Sequence, residues 1–202
     1  MVTIRDVFGC DFSTESNISQ PFELILDAGD DVEIDLSYTT DLNAVLTNSN
    51  IEHTILWTPE IGLSCIDCFD PIAAPPFTTT YVATITTIEG CTATDSVTVT
   101  VNDVRPVYIP NIFSPNFDGA NDTFTAFGGQ AATLIKEFRV YNRWGGLVYE
   151  GTDIDPNNLS AGWDGTASNG RKVDQGVYVY HIRMEFFDGE IFDYQGDVMV
   201  VR

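Results

Sequence analysis

Basic residues are scarce in this chain. Nine Lys and Arg stand against 30 Asp and Glu in 202 residues, a formal charge of −21. The shortage is uneven. Residues 1–104 hold 17 acidic residues against Arg5 alone, a net of −16, whereas residues 105–202 hold 13 against 8, a net of −5. A field of that sign repels phosphate backbones and anionic membranes, which excludes nucleic-acid binding as a function class and attracts divalent cations. No run of the sequence approaches the ~20 apolar residues of a membrane helix, so no direct membrane span is expected. The N-terminus lacks the charged-then-apolar pattern of a signal peptide. Strand-like VTI follows Met1 at once, as expected of a piece of a longer protein.

Histidine is nearly absent too, with only His53 and His181 available for proton work near neutral pH. His181 falls mid-strand and His53 at a strand start, and both are expected on solvent faces. There is no glycine-rich phosphate loop, no HExxH and no GxSxG, so the chain is expected to be no enzyme and to need no cofactor for catalysis. Apolar residues, in contrast, make up 44%, with 13 Phe, 8 Tyr and 3 Trp, enough to build a core.

Those apolar residues alternate. In VYVYHIRMEF, Tyr178, Tyr180, Ile182, Met184 and Phe186 share one face, with His181, Arg183 and Glu185 on the other. DSVTVTV sets Val97, Val99 and Val101 opposite Ser96, Thr98 and Thr100. KEFRVYNRW and IFDYQGDVMVV behave alike, and no stretch offers an amphipathic helix. Period-two runs broken by Gly, Asn, Asp and Pro predict an all-β chain of two tandem immunoglobulin-like antiparallel β-sandwiches.

A repeat sets the expected boundaries. VTIRDVFGC (residues 2–10) and ATITTIEGC (residues 83–91) share Thr, Ile and Gly-Cys at an offset of 81 residues. That spacing suits one sandwich module and tandem units. Residues 1–22 are then read as the last hairpin of a preceding repeat, 23–104 as a complete module, VNDVRPVYIP as a linker, and 105–202 as a different, final module.

The four cysteines, Cys10, Cys65, Cys68 and Cys91, suit an oxidising, extracytoplasmic setting and are disulfide candidates with three possible pairings. CIDC at Cys65 and Cys68 could serve as a zinc half-site or a redox pair. It lacks further ligands for the first and a βαβ context for the second, so a disulfide stabilising a loop is favoured. In SPNFDGANDTF, Asn116, Asp118, Asn121 and Asp122 place side-chain oxygens at offsets 0, 2, 5 and 6 around Gly119. Two readings stay open: an Asx-rich turn bonding its own backbone, or a calcium site without the acidic residue that closes an EF-hand loop. GWDGTASNGRKVDQG reads as Trp163 packing over a turn, with Gly165 and Gly170 at tight bends and Gly176 launching a strand.

Three of these motifs occur in a family order. IPNIFSPNFDGANDTF, FRVYNRWGGLVYE and WDGTASNGRKVDQGVYVYHI resemble the gliding motility-associated C-terminal domain of Bacteroidota, the type B sorting domain of the type IX secretion system. Residues 23–103 are similar to the PKD-like, immunoglobulin-like modules that often precede it, and the hairpin at 2–22, closed by Gln20-Pro21, to the end of an adhesin repeat. The resemblance implies an address. The cargo would be a large surface protein, such as a gliding-motility adhesin. The partners would be the type IX outer-membrane machinery and an outer-membrane barrel protein. The destination would be the cell surface or exterior after periplasmic transit. The fragment is expected to be monomeric. Type A relatives end in a short basic strand and are cleaved, whereas GDVMVVR carries Arg202 as its only cation. The alternative is a carbohydrate- or substratum-binding adhesive module with Tyr141 and Tyr149 as its platform.

Overall fold

The computed structural model describes residues 2–15, 23–47 and 52–202; the expected closure at Gln20-Pro21 lies outside them. Among the described residues there are 17 strands and one short 3-10 turn at Leu159–Ala161. The chain is thus all-β, as the alternation predicts.

An isolated hairpin comes first, β1 (Val2–Arg5) against β2 (Asp11–Thr14). The next sandwich holds β3 (Ile25–Asp27), β4 (Val32–Asp35), β5 (Thr40–Asp41), β6 (Val45–Thr47), β7 (His53–Thr58), β8 (Ile72–Ala73), β9 (Thr79–Thr87) and β10 (Thr92–Asn102). Its main sheet runs β4-β10-β9-β7, and the ribbons β3-β6 and β5-β8 pack on it. The core between them joins Leu26, Leu42 and Ala73 to Trp57, Tyr81 and Val99, all buried.

The last sandwich holds β11 (Val107–Tyr108), β12 (Ile112–Phe113), β13 (Phe127–Gly128), β14 (Ala132–Tyr141), β15 (Leu147–Ile154), β16 (Gly176–Phe186) and β17 (Ile191–Val200). Its sheet runs β12-β17-β16-β14-β15, with the ribbon β11-β13 separate from it. Tyr178, Ile182, Met184 and Phe186 point inward, and Tyr180 is half-buried beside them. The opposite face of the sheet is a ladder of charge. His181 Nε2 lies 3.0 Å from Asp193, Arg183 Nε 3.4 Å from Asp193, and Arg139 Nε donates to Glu150 at 2.8 Å. Cross-strand pairs of this kind let a solvent face tolerate a central strand.

Two pairings depart from the antiparallel expectation. β4 runs parallel to β10, and β12 parallel to β17. Both partners are far apart in sequence, so the intervening chain supplies the crossover that parallel neighbours require. Local alternation carries no signal for such a pairing.

The two sandwiches touch. Leu36 is buried within the core of the last sandwich, and Val101 packs against both cores. Ser37 Oγ donates to Gln130 O at 3.3 Å, and Gln130 Nε2 donates to Ser37 O at 3.1 Å. Arg105 pairs with both Asp103 and Asp188, and its guanidinium lies 5.0 Å from the Phe192 ring centroid and 5.5 Å from that of Phe186. VNDVRPVYIP, read as a linker, packs as a joint between the two sandwiches.

Candidate recognition surface

The loop after β12 shows what its oxygens do. Asp122 Oδ1 accepts from the Asn116 N–H at 3.1 Å and the Phe117 N–H at 2.5 Å, and Oδ2 from the Gly119 N–H at 2.8 Å. Asp118 accepts from the Ala120 N–H and from Asn116 Nδ2, each at 2.8 Å. The hydrogen bond from Asn116, followed by that from Ala120, holds the Asp118 carboxyl below the usual carboxylate range. Asn116 Oδ1 accepts the Asp118 N–H at 3.0 Å, and the Asn121 carbonyl accepts from Ser114 N–H at 2.8 Å. Gly119 at φ 89° and Asn121 at φ 54° adopt the left-handed conformation this winding needs. Phe117 is forced there as well, at φ 65°, and its ring stands 68% exposed.

All four residues considered for calcium therefore converge on one loop. Their side-chain oxygens lie on the loop's own N–H groups at Asn116, Asp118 and Asp122, while Asn121 contributes its main chain. Among the described residues no group of three or more His, Cys, Asp or Glu is placed to hold a metal ion.

Beneath this loop sits Trp163, fully buried between Phe113 and Tyr178 with ring centroids 5.2 and 5.3 Å away. Its indole N–H donates to Thr166 O at 2.9 Å, satisfying the one polar atom of the side chain. Its main chain bridges Phe124 in both directions at 2.8 Å. Gly165 has φ 70°, and a Cβ there would meet Pro115 at 2.8 Å, so loop and turn interlock through the absence of a side chain.

The turn joining β14 to β15 forms the neighbouring protrusion. Asn142 Oδ1 accepts from the Trp144 N–H at 3.0 Å and the Gly146 N–H at 2.9 Å. Gly145 is left-handed at φ 78°. Trp144 is 79% exposed, with the Arg143 guanidinium 4.6 Å from its ring centroid. Lys172 Nζ sits likewise 4.4 Å from the Phe117 ring centroid. Sequence reading missed the Trp144 pair; the signal was NRWGG, where a bulky aromatic occupies a turn that gives it nothing to pack on.

The residues singled out for chemistry are dispersed. His181 lies on the charged face, and His53 opens β7 with its ring edge-on to Phe69 at 5.6 Å. Tyr149, half of the imagined sugar platform, turns inward: its hydroxyl donates to Ala161 O at 2.9 Å and its ring packs on Phe138 at 5.1 Å. Burial, with the Asp164 charge second, pushes its phenol above the usual range. Tyr141 is half-buried. Cys65 and Cys68 form a disulfide with Cα atoms 6.0 Å apart, and Cys10 and Cys91 are exposed free thiols. A groove of about 460 Å3 runs beside the 114–122 loop, and Asp122 is the one ionisable residue among those lining it. Such a groove assembles no acid–base pair.

Residues 107–200 match the model of the CHU_C type IX secretion signal domain, which is not a catalytic family. No curated protein sequence matches the chain. Among solved structures, it is similar to dimeric latent PorU from Porphyromonas gingivalis, with 18% identity over 89% of this chain and 20% of that one and a TM-score of 0.33. It is also similar to SGBP-B of Bacteroides ovatus, with 13% identity over 88% of this chain and 44% of that one and a TM-score of 0.31. The fibronectin(III)-like modules of Clostridium thermocellum CbhA align at 11% identity over 87% of this chain and 92% of theirs, with a TM-score of 0.27. The chain thus spans a fifth of PorU and under half of SGBP-B. No helix among the described residues is long and apolar enough to cross a membrane. Residues 107–200 thus match the type IX secretion signal domains, which supports a sorting-signal role for this part of the chain and implies export to the cell surface or beyond.

Proposed function

We propose that the chain is the address and adjoining spacer of a large surface protein of the gliding-adhesin class, kept at the outer membrane through a barrel protein of the export system. Residues 23–104 act as the spacer, 105–202 as the address, and the hairpin at 2–14 as part of a preceding repeat. One observation carries this reading: the family match falls on the last β-sandwich, whose groove beside the 114–122 loop holds Asp122 as its one ionisable residue. Recognition of surface shape needs no bond-making chemistry. The outer edge of β17 supports it further. β12 covers β17 only at Met199 and Val200, so the backbone from Ile191 to Asp197 faces outward on that side without a strand partner among the described residues. An open edge can accept a receptor strand.

The test is a fusion of the 202-residue chain to a fluorescent reporter in a type IX-competent cell, with a 105–202 fusion alongside. Surface delivery of the longer fusion is expected. Periplasmic retention together with measurable glycan binding by the purified chain would replace this reading with the adhesive one. The shorter fusion should travel less well, because removing Leu36 uncovers part of the core it completes.

A further inference from the structure

The nine cations are not spread evenly over the surface. Arg5, Arg105, Lys136, Arg139 and Arg183 each pair with a carboxylate. Nine less five leaves Arg143, Arg171, Lys172 and Arg202, and these have no ion pair among the described residues. All four lie on segments that leave the last sheet at one end, where β16 begins and β17 finishes. The opposite end, at the β16-β17 turn, is occupied: Asp188 there meets Arg105 from the joint.

We propose that this open end is the surface that meets the export receptor, and that it fits a protein presenting carboxylates beside an apolar slot that takes Trp144 and Phe117. The proposal rests on the sorting reading above and names its partner's chemistry. Each aromatic is exposed, stands on a turn fixed by side-chain-to-backbone bonds, and carries a cation over its ring. Trp and Arg held rigidly are the chemistry of interface hot spots, because ordering them costs little on binding. Neither ring contributes to a core, so the fold gives no reason for them to be there.

Charge agrees. Asp118, Asp122, Asp164 and Asp174 share this end, and the first three are hydrogen-bonded to backbone amides. With Asp197, level with Tyr141 across β16, five carboxylates meet four cations, so this end is close to neutral in a chain of net −21. An acidic protein is repelled by most of the molecule but not here, which sets orientation at encounter. An anionic membrane fits less well, because membrane-binding patches present roughly four to eight cations without interleaved carboxylates.

The experiment compares the 202-residue reporter fusion with R143E/K172E, with W144A, and with the control Tyr108→Ser, an exposed aromatic on β11. The double charge reversal should lower surface delivery about tenfold and W144A about three- to fivefold. The control should match the parent. Melting of the purified variants confirms that they are folded. Folded variants delivered like the parent would overturn the proposal. So would parental binding to phosphatidylglycerol vesicles, or parental self-association in sedimentation velocity, that the double reversal abolishes; these would make the partner a membrane or a second copy. Failure of the parent itself to reach the surface would sink the sorting reading and this inference together.

Discussion

Trp57 and Trp163 anchor the two sandwiches in nearly the same way. Each is buried, and each indole N–H donates to a loop carbonyl at 2.9 Å, Cys68 O in one module and Thr166 O in the other. The surroundings differ. The Trp57 loop is closed covalently by Cys65–Cys68, whereas the Trp163 loop is closed by a left-handed glycine and by interlock with the 114–122 loop. The first sandwich relies on a local cross-link. In the last sandwich the tryptophan couples the core to the 114–122 loop, so under the proposed function damage to it should be felt in delivery.

That contrast can be broken in order of expected effect. W163A and W57A should each cost about 3–5 kcal/mol in denaturant unfolding, the range for a large aromatic removed from a core. Only W163A should also disturb the amide signals of residues 114–122 in NMR. Equal disturbance by W57A would erase the distinction. R105A comes next, at about 2–3 kcal/mol, because it strands the largely buried Asp188 at the joint. Calorimetry should then resolve one cooperative transition into two. The C65S/C68S variant should lose about 2 kcal/mol, as expected for a short closed loop, and confine the loss to the first sandwich.

Smaller effects sharpen the picture of the 114–122 loop. D122A removes the acceptor for three backbone amides and should cost about 1–2 kcal/mol. Adding calcium to the wild type should leave its melting temperature unchanged; a rise that D122A abolishes would favour the metal reading. The smallest effect is acid sensitivity. Asp118 titrates below the ordinary value of about 3.9, so its contribution is intact above that pH and is lost as pH falls through its folded-state value. A carboxyl-carbon NMR titration follows it directly.

Much of the fold was legible in the residues. The alternation in 176–186 and 97–101 gave the faces of β16 and β10, because burial on one side of a pleat imposes a period of two. The repeat proved a turn-level identity. Asp6 and Thr87 each accept the side-chain-directed N–H of the following Cys10 or Cys91, at 2.9 and 3.1 Å, and Gly9 and Gly90 share φ 86°. Yet Ile4 is 64% exposed and its counterpart Ile85 is fully buried. Local sequence sets a turn, and neighbours set burial. For the same reason Leu36, the parallel edges and the packed joint were invisible: each depends on residues distant along the chain. At the site, the 114–122 oxygens were found from sequence, but their role hinged on dihedral angles. Trp144 was overlooked because an exposed aromatic has no periodic signature.

The parallel seam between β4 and β10 has a mechanical consequence. Val32, Glu33, Ile34 and Asp35 lie beside Val99, Thr100, Val101 and Asn102 in matching direction, near the two ends of the spacer. Tension applied between those ends slides the strands along each other, so the rungs share the strain and do not peel one at a time. A module built this way resists stretching between its ends with little backbone.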